Sequence, residues 1–133
     1  MAATFMTKIP VATDQAPKAL GPYSQGIISN NMIFCSGQLP IDPATGKFVP
    51  GDIYTQTHRV IQNLSGVLQA AGSSLSNVVK TTVFLRDMDD FDEMNKAYEE
   101  AFAHGIKPAR AAVQVARLPK DANIEIDCVA TLM

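Results

Sequence analysis

Three polar residues stand where the surrounding sequence pattern predicts apolar ones. Asn95 lies beside the apolar stripe of a predicted helix, Arg110 begins a strand of small apolar residues, and Glu125 interrupts a final strand that is otherwise nearly all apolar. An unpaired buried charge is costly, so such residues are usually paired or functional. Arg110 could hold a small carboxylate in its two-pronged guanidinium while Glu125 handles a proton on a water or an amine. The alternative is a structural ion pair between Arg110 and Glu125, which could join two chains, and periodicity does not choose between these readings.

Two short segments could bring further groups to a ligand. In GPYSQG, Pro22 fixes its own φ and biases Gly21 away from helix, so Tyr23 is presented from a stiff loop. The alternative, which the pattern favours, is a tyrosine packed in the core. In SGQLP, Gly37 ends a predicted strand and would let a backbone N–H approach a ligand closely.

Several chemistries have no support in the sequence. It contains no GxGxxG, GxxxxGK[ST], HExxH or GxSxG motif, which argues against dinucleotide, P-loop, zincin and hydrolase-elbow sites. His58 and His104 are predicted to be solvated surface residues, and His104 could complement a helix C-terminus. Cys35 and Cys128 lie in apolar strands and are predicted to be buried free thiols, with no Cys/His cluster for zinc.

Composition indicates an ordinary soluble domain. The chain has 133 residues, 47% hydrophobic and 18% charged, which predicts a single domain over residues 1–133 with a loose segment at 1–7. The net charge of −2 argues against nucleic acid as the main ligand. No apolar run is long enough to span a membrane, and MAATFMTKIP makes a poor signal or transit peptide. We therefore expect a protein of a reducing compartment: cytoplasmic, with an organelle such as the mitochondrion as the alternative.

The predicted elements form a mixed sheet covered by two helices on one face. We expect one short extended piece, but no helix, in the loop that follows the first hairpin. The second helix should start at Asp89 or Asp90 and be closed by Gly105. A sheet with helices on one face leaves the other uncovered, and association with other copies is the simplest remedy. The predicted elements are a hairpin over Gly26–Gly37, a helix from Ile53 to Gly72 that Asp52 caps, a strand over Val78–Arg86, the second helix, and strands over Ala109–Leu118 and Ile124–Met133.

Taken together, five segments resemble the RidA branch of the Rid (YjgF-like) reactive intermediate deaminase family. They are GPYSQG, MIFCSGQLPID, VIQNLSGVLQAAGSSLSNVVKTTVFLRDMDDF, PAR and VARLPKDANIEID, which occur in the family's order between Ala16 and Ala130. The resemblance implies an α+β, chorismate-mutase-like single domain that assembles as a homotrimer with active sites between subunits. It also implies hydrolysis of reactive 2-imino acids, such as 2-iminobutanoate and 2-iminopropanoate, to 2-oxo acids and ammonia, without metal or cofactor. The role implied is protection of pyridoxal-phosphate enzymes, with a link to threonine dehydratase and isoleucine biosynthesis.

The resemblance also assigns roles to residues. The Arg of PAR, Arg110, would hold the substrate carboxylate, and the Glu of IEI, Glu125, would bind or activate the attacking water. The remaining pocket residues would be Tyr23, Ser36, Gly37, Asn95 and the backbone amide of Ala112.

The chain departs from a common family pattern just after PAR. Ala111-Ala112 stands where many members have Ser-Cys, so no cysteine can act there, and the HGIK connection looks short, which could change the rim of the cleft and the substrate range. The alternative functions are a chaperone-like or translation-inhibiting protein and an endoribonuclease. The acidic composition and the poorly placed histidines argue against the nuclease.

Overall fold

Eight strands and two α-helices follow one another in the computed structural model, which describes residues 7–133. The loose segment predicted at 1–7 lies outside the described residues apart from Thr7. In chain order the elements are β1 (Ile9–Val11), β2 (Gly26–Ser29), β3 (Met32–Gln38), β4 (Ile41–Asp42), β5 (Lys47–Phe48), α1 (Ile53–Ala70), β6 (Val78–Leu85), α2 (Phe91–Ala101), β7 (Ala109–Gln114) and β8 (Ile124–Thr131).

The main sheet has six strands in the order β1-β2-β3-β8-β6-β7. β6 and β7 run parallel and every other neighbouring pair runs antiparallel, which confirms the mixed sheet. The predicted extended piece after the first hairpin is in fact a small hairpin of its own, β4–β5. β1 was not predicted from the sequence, because a three-residue strand that contains Pro10 is too short to show alternation.

Helix α1 begins and ends as predicted. The carboxylate of Asp52 accepts a hydrogen bond from the Thr55 N–H at 2.9 Å, and Gly72 follows the helix with a positive φ of 84°. Helix α2 starts later than predicted, at Phe91, because Met88–Asp90 form a 3₁₀ turn. Gly105 has the expected positive φ but lies in the loop beyond the last helical residue rather than at the helix end.

The last two strands are shorter than predicted because their partners end. Gln114, the last residue of β7, pairs with Leu85, the last residue of β6. In the same way, Thr131 at the end of β8 pairs with Met32 at the start of β3. The end of each of these strands is therefore set by the end of its neighbour, not by the residues that follow it in the sequence.

Both helices pack on one face of the sheet, as predicted. On β8 the residues that face the helices are at most 2% exposed, whereas those between them are only half-buried; the buried ones are Ile124, Ile126, Cys128 and Ala130. The opposite face, called the open face below, carries partly exposed apolar side chains, including Phe34 (46% exposed) and Val113 (40%). No helix among residues 7–133 combines the length and the apolar character needed to cross a membrane.

Candidate functional site

A cavity of about 480 Å³ opens beside Glu125. Its wall is mostly apolar, and Glu125 supplies its ionisable carboxylate. The lining residues are Leu20, Gly21, Pro22, Tyr23, Ser36, Gly37, Leu39, Pro119 and Glu125. Four residues that the sequence predicts for one pocket, Tyr23, Ser36, Gly37 and Glu125, are therefore brought together.

An irregularity in β3 shapes the floor of this cavity. Cys35 pairs with Cys128 and Gln38 with Ile126, so β3 carries one more residue than β8 over this stretch. Such a bulge bends the strand and re-aims its side chains. The extra length falls at Ser36 and Gly37, which is why they turn toward the cavity instead of continuing the alternation.

Gly37 leaves the space that the Glu125 side chain occupies. A Cβ built on Gly37 would overlap the carboxylate of Glu125 and lie 2.7 Å from its Cδ atom. The glycine in SGQ is therefore required by the position of Glu125, a role that differs from the close backbone approach expected from the sequence.

The GPYSQG loop holds Tyr23 over the cavity. The Tyr23 N–H donates to the Gly21 carbonyl at 2.8 Å, and the Tyr23 hydroxyl accepts from the Leu20 N–H at 3.1 Å. The Ser36 hydroxyl donates to the Ser24 carbonyl at 2.6 Å and so fastens this loop to β3. Tyr23 is 48% exposed, so the prediction of a packed core tyrosine is wrong. Its ring instead lines the cavity.

Two buried amides that the sequence reasoning missed anchor the segments around the cavity. The side chain of Gln25 accepts from the Thr13 N–H at 2.7 Å and donates to the Thr13 carbonyl at 3.0 Å. Asn63 of α1 donates to the carbonyls of Leu39 (3.0 Å) and Ile41 (2.9 Å). A signal for Asn63 was present, since it is a polar residue within the apolar stripe of α1.

The electrostatic setting of Glu125 favours its protonated form. Burial raises the pKa of the Glu125 carboxyl, and the negative charge of Asp127, two positions along the same face of β8, raises it further. Within the described residues no Lys, Arg or His forms an ion pair with Glu125. A carboxyl group in this setting is suited to exchange protons with a bound molecule.

Arg110 lies on the other face of the sheet. It pairs with Thr81 of β6, whose hydroxyl contacts the helix layer, whereas Glu125 pairs with Phe84. Thr81 and Phe84 are three positions apart, and side chains alternate along a strand, so Arg110 and Glu125 point to opposite faces. An ion pair between them within one chain, one of the readings left open by the sequence, is therefore wrong.

The guanidinium of Arg110 instead contacts helix α2. Its Nη1 donates to Asn95 Oδ1 at 2.6 Å, and its Cζ lies 4.8 Å from the ring centre of Tyr98 and 5.5 Å from that of Phe91. Asn95 thus faces Arg110, and it does not line the Glu125 cavity. Ala112 follows on the same face of β7 and is half-buried.

Comparison with known proteins identifies the family. A family model described as Endoribonuclease L-PSP matches residues 13–132. A solved Yersinia pestis structure described as a member of the conserved Rid protein family superposes with a TM-score of 0.90 at 42% identity, over 93% of this chain and 98% of that one. The chain belongs to the Rid family. It is 54% identical to a RutC family protein of Pyrococcus abyssi (94% of this chain, 98% of that one) and 47% identical to Reactive Intermediate Deaminase A, chloroplastic, of Arabidopsis thaliana (99% and 70%).

Two Escherichia coli relatives bear on the chemistry. The 2-iminobutanoate/2-iminopropanoate deaminase is 46% identical to this Rid chain over 90% of the chain and 94% of the relative. The crystal structure of TdcF with bound serine superposes with a TM-score of 0.90 at 40% identity, over 93% of this chain and 98% of TdcF. The RidA-type recognition made from the segments is confirmed.

The histidines and cysteines of this Rid-family chain lie away from the cavity. His58 contacts Glu100 at 3.3 Å on the outer side of the helices, and His104 is exposed. Cys35 and Cys128 are buried free thiols, as predicted, and face each other across β3 and β8. The facing Cys35 thiol and burial raise the pKa of the Cys128 thiol, which disfavours a reactive thiolate.

Proposed function

We propose that the chain hydrolyses small 2-imino acids, such as 2-iminobutanoate and 2-iminopropanoate, to 2-oxo acids and ammonia. The observation that carries the proposal is the half-buried carboxyl of Glu125, held over Gly37 at the wall of a mostly apolar cavity. Relatives named as deaminases at 46–47% identity support it. The biological role would be removal of the imines that pyridoxal-phosphate enzymes such as threonine dehydratase release.

Arg110 would bind the carboxylate of the substrate. Its charge has no acidic partner among the described residues, and a guanidinium binds a carboxylate through two parallel N–H donors. A Rid-family relative, TdcF, was solved with serine, a small molecule that carries a carboxylate. The apolar side chains of Leu20, Leu39 and Pro119 would contact a short alkyl group of the substrate.

Glu125 would move the protons of the reaction. As water adds to the C=N carbon, Glu125 accepts a proton from it, and the C=N π electrons move to nitrogen. The resulting carbinolamine takes up a proton on nitrogen, its C–N bond breaks with the electron pair leaving on ammonia, and the hydroxyl proton is lost as the C=O bond forms. The overall balance is imino acid plus water giving 2-oxo acid plus ammonia. Because the protonated imine is already electrophilic, positioning and proton transfer are sufficient.

The opposite orientations of Arg110 and Glu125 support a site made by two chains. One substrate of a few heavy atoms would contact both residues where the β7 edge of one copy meets the Glu125 cavity of the next. The open face carries the apolar side chains of Phe34 and Val113. If another copy packed against this face, both side chains would be buried. We therefore propose a homotrimer with a site in each cleft, and the expected solution mass is that of three chains.

The test of the reaction is 2-oxobutanoate release from freshly generated 2-iminobutanoate, measured above the spontaneous rate. We expect the wild type to accelerate the release and Arg110→Ala to lose at least about 100-fold in kcat/KM, since it removes a charge-assisted bidentate contact. Equal rates with and without wild-type protein would overturn the proposed function. Full activity of Arg110→Ala would overturn the role of Arg110 alone.

The test of the shared site is complementation. Arg110→Ala and Glu125→Gln, each nearly inactive alone, are unfolded together and refolded as an equal mixture. If every site takes Arg110 from one chain and Glu125 from its neighbour, about a quarter of the sites are intact and the mixture regains about a quarter of wild-type activity. No recovery in mixed trimers of confirmed mass would contradict the two-chain site.

A further inference from the structure

Three side chains of α2 contact the guanidinium of Arg110 from one side. Phe91, Asn95 and Tyr98 are four and then three positions apart, a spacing that places them on one face of a helix. The rings of Tyr98 and Phe91 lie 4.8 and 5.5 Å from Arg110 Cζ, and Asn95 Oδ1 accepts from Nη1 at 2.6 Å.

The ring nearest to the guanidinium is itself held in place. The Tyr98 hydroxyl and the Thr81 hydroxyl are hydrogen-bonded at 2.7 Å, and Tyr98 is only 6% exposed. Thr81 is the β6 residue that pairs with Arg110, so the same pair of strands sets the position of the guanidinium and of the ring it contacts. Tyr98 also packs on Phe102 with ring centres 4.7 Å apart.

We propose that Phe91, Asn95 and Tyr98 form an aromatic cradle that fixes the orientation of Arg110, so that its remaining N–H donors point at a carboxylate. The guanidinium is planar and packs well on ring faces, whereas an arginine side chain without such support has many rotamers. A guanidinium has five N–H donors, and Asn95 accepts from Nη1, so donors remain for a bidentate contact. Asn95 then acts as a positioning residue, and the inference rests on the carboxylate-binding role proposed for Arg110.

The test is a double-mutant cycle read out by binding of 2-oxobutanoate, a stable carboxylate, in calorimetry. Phe91→Leu keeps an apolar side chain but removes the ring, and we expect Kd to rise about three- to tenfold. In an Arg110→Lys background the same Phe91→Leu change should have little further effect, because a lysine has no planar group to orient. Rescue by Phe91→Tyr, which restores a ring, is expected.

A matched control separates orientation from packing. Met94 is a fully buried residue of the same helix, and Met94→Leu should leave the Kd of 2-oxobutanoate unchanged in both backgrounds. In the imine assay, Phe91→Leu should raise KM while kcat stays within about twofold, the pattern of lost ground-state binding.

The outcomes distinguish this inference from the proposed function. If the wild type binds 2-oxobutanoate and hydrolyses the imine, but Phe91→Leu costs the same in both backgrounds, the cradle is wrong and the function stands. If the coupling is present but no imine is hydrolysed, the function is wrong and the cradle stands as a carboxylate site. If 2-oxobutanoate does not bind to the wild type at all, the inference is overturned.

Discussion

The two charged sites of this chain lie on opposite faces of one sheet and differ in how their charges are balanced. Glu125 is half-buried beside a mostly apolar cavity, with Asp127 as its charged neighbour, and both burial and that charge raise the pKa of its carboxyl. Arg110 contacts an amide oxygen and two aromatic rings, which support its charge and restrict its motion. One site is suited to exchanging a proton and the other to holding an anion. Under the proposed function, one substrate would contact both residues where two copies meet.

The largest effect is expected at Glu125. Glu125→Gln keeps the size of the side chain but removes its ability to accept a proton, so kcat for imine hydrolysis should fall about 10²- to 10⁴-fold. Binding of 2-oxobutanoate should change little, because Arg110 is untouched. Initial rates and calorimetry on the same preparation measure the two quantities.

Asp127→Asn is the control for Glu125→Gln, since it removes a carboxylate from the same face of β8. Its kcat at pH 8 should stay near that of the wild type. A Glu125→Gln variant that kept wild-type kcat would show that the proton is moved by another group.

A smaller loss is expected from Gly37→Ala, which keeps the Glu125 carboxyl but displaces it. The added Cβ would occupy the space of the Glu125 carboxylate, and that flexible side chain can turn away. We expect kcat to fall about 10- to 100-fold, the scale of a misplacement near 1 Å, with little change in the free energy of unfolding. Rates and urea denaturation together measure this.

Gly66→Ala on α1 should behave in the opposite way. A Cβ there would lie 2.5 Å from the backbone carbonyl oxygen of Gln15, so backbone has to move. The expected cost is about 1 to 3 kcal/mol of unfolding free energy, with kcat of the folded protein largely kept. If Gly37→Ala lost stability and kept kcat, the space for Glu125 would not be the reason for a glycine at that position.

Periodicity predicted the elements well where they are long. The apolar stripe of α1 and the alternation of β8 hold over many residues, so both were placed correctly. The pattern failed for β1, which has three residues, and at the ends of β7 and β8, where pairing with a neighbouring strand decides the length. These errors arise because contacts between segments that are distant in the sequence decide where strands form and end, and the pattern within one segment does not show those contacts.

Part of the candidate site was predicted from the sequence, but its division between two faces of the sheet was not. Asn95, Arg110 and Glu125 stood out because their types contradict their patterns. Alternation gives the relative faces of residues within one strand only. That Arg110 and Glu125 point to opposite faces follows from the pairing of β7 and β8 with β6, which periodicity does not predict. The bulge at Gly37 was not predicted for the same reason, because a bulge is defined by the pairing of one strand with its neighbour, here of β3 with β8.

The smallest effect concerns pH, and it separates the two charged sites. Burial, followed by the charge of Asp127, raises the pKa of Glu125 above its ordinary value of 4.5. A proton acceptor must be ionised, so kcat/KM should decrease as pH falls through this pKa, and the acid limb of the profile should lie above 4.5. Asp127→Asn removes one cause of the shift and should move the limb to lower pH, whereas Phe91→Leu at the Arg110 site should not move it. Titration of the substrate is common to all variants and cancels in this comparison.

The same shift has a consequence for stability, with the sign opposite to that of a salt-bridged carboxylate. Because folded Glu125 binds its proton more tightly than the unfolded chain does, the free energy of unfolding should decrease as pH rises from about 4.5 through the folded pKa. Glu125→Gln should remove that decrease, which urea denaturation at several pH values measures. A wild-type acid limb at or below pH 4.5, together with no change in slope for Glu125→Gln, would contradict a raised pKa of Glu125 in the folded protein. The contrast between a carboxyl group whose proton is held tightly and a guanidinium supported by aromatic rings would then be lost at the Glu125 site.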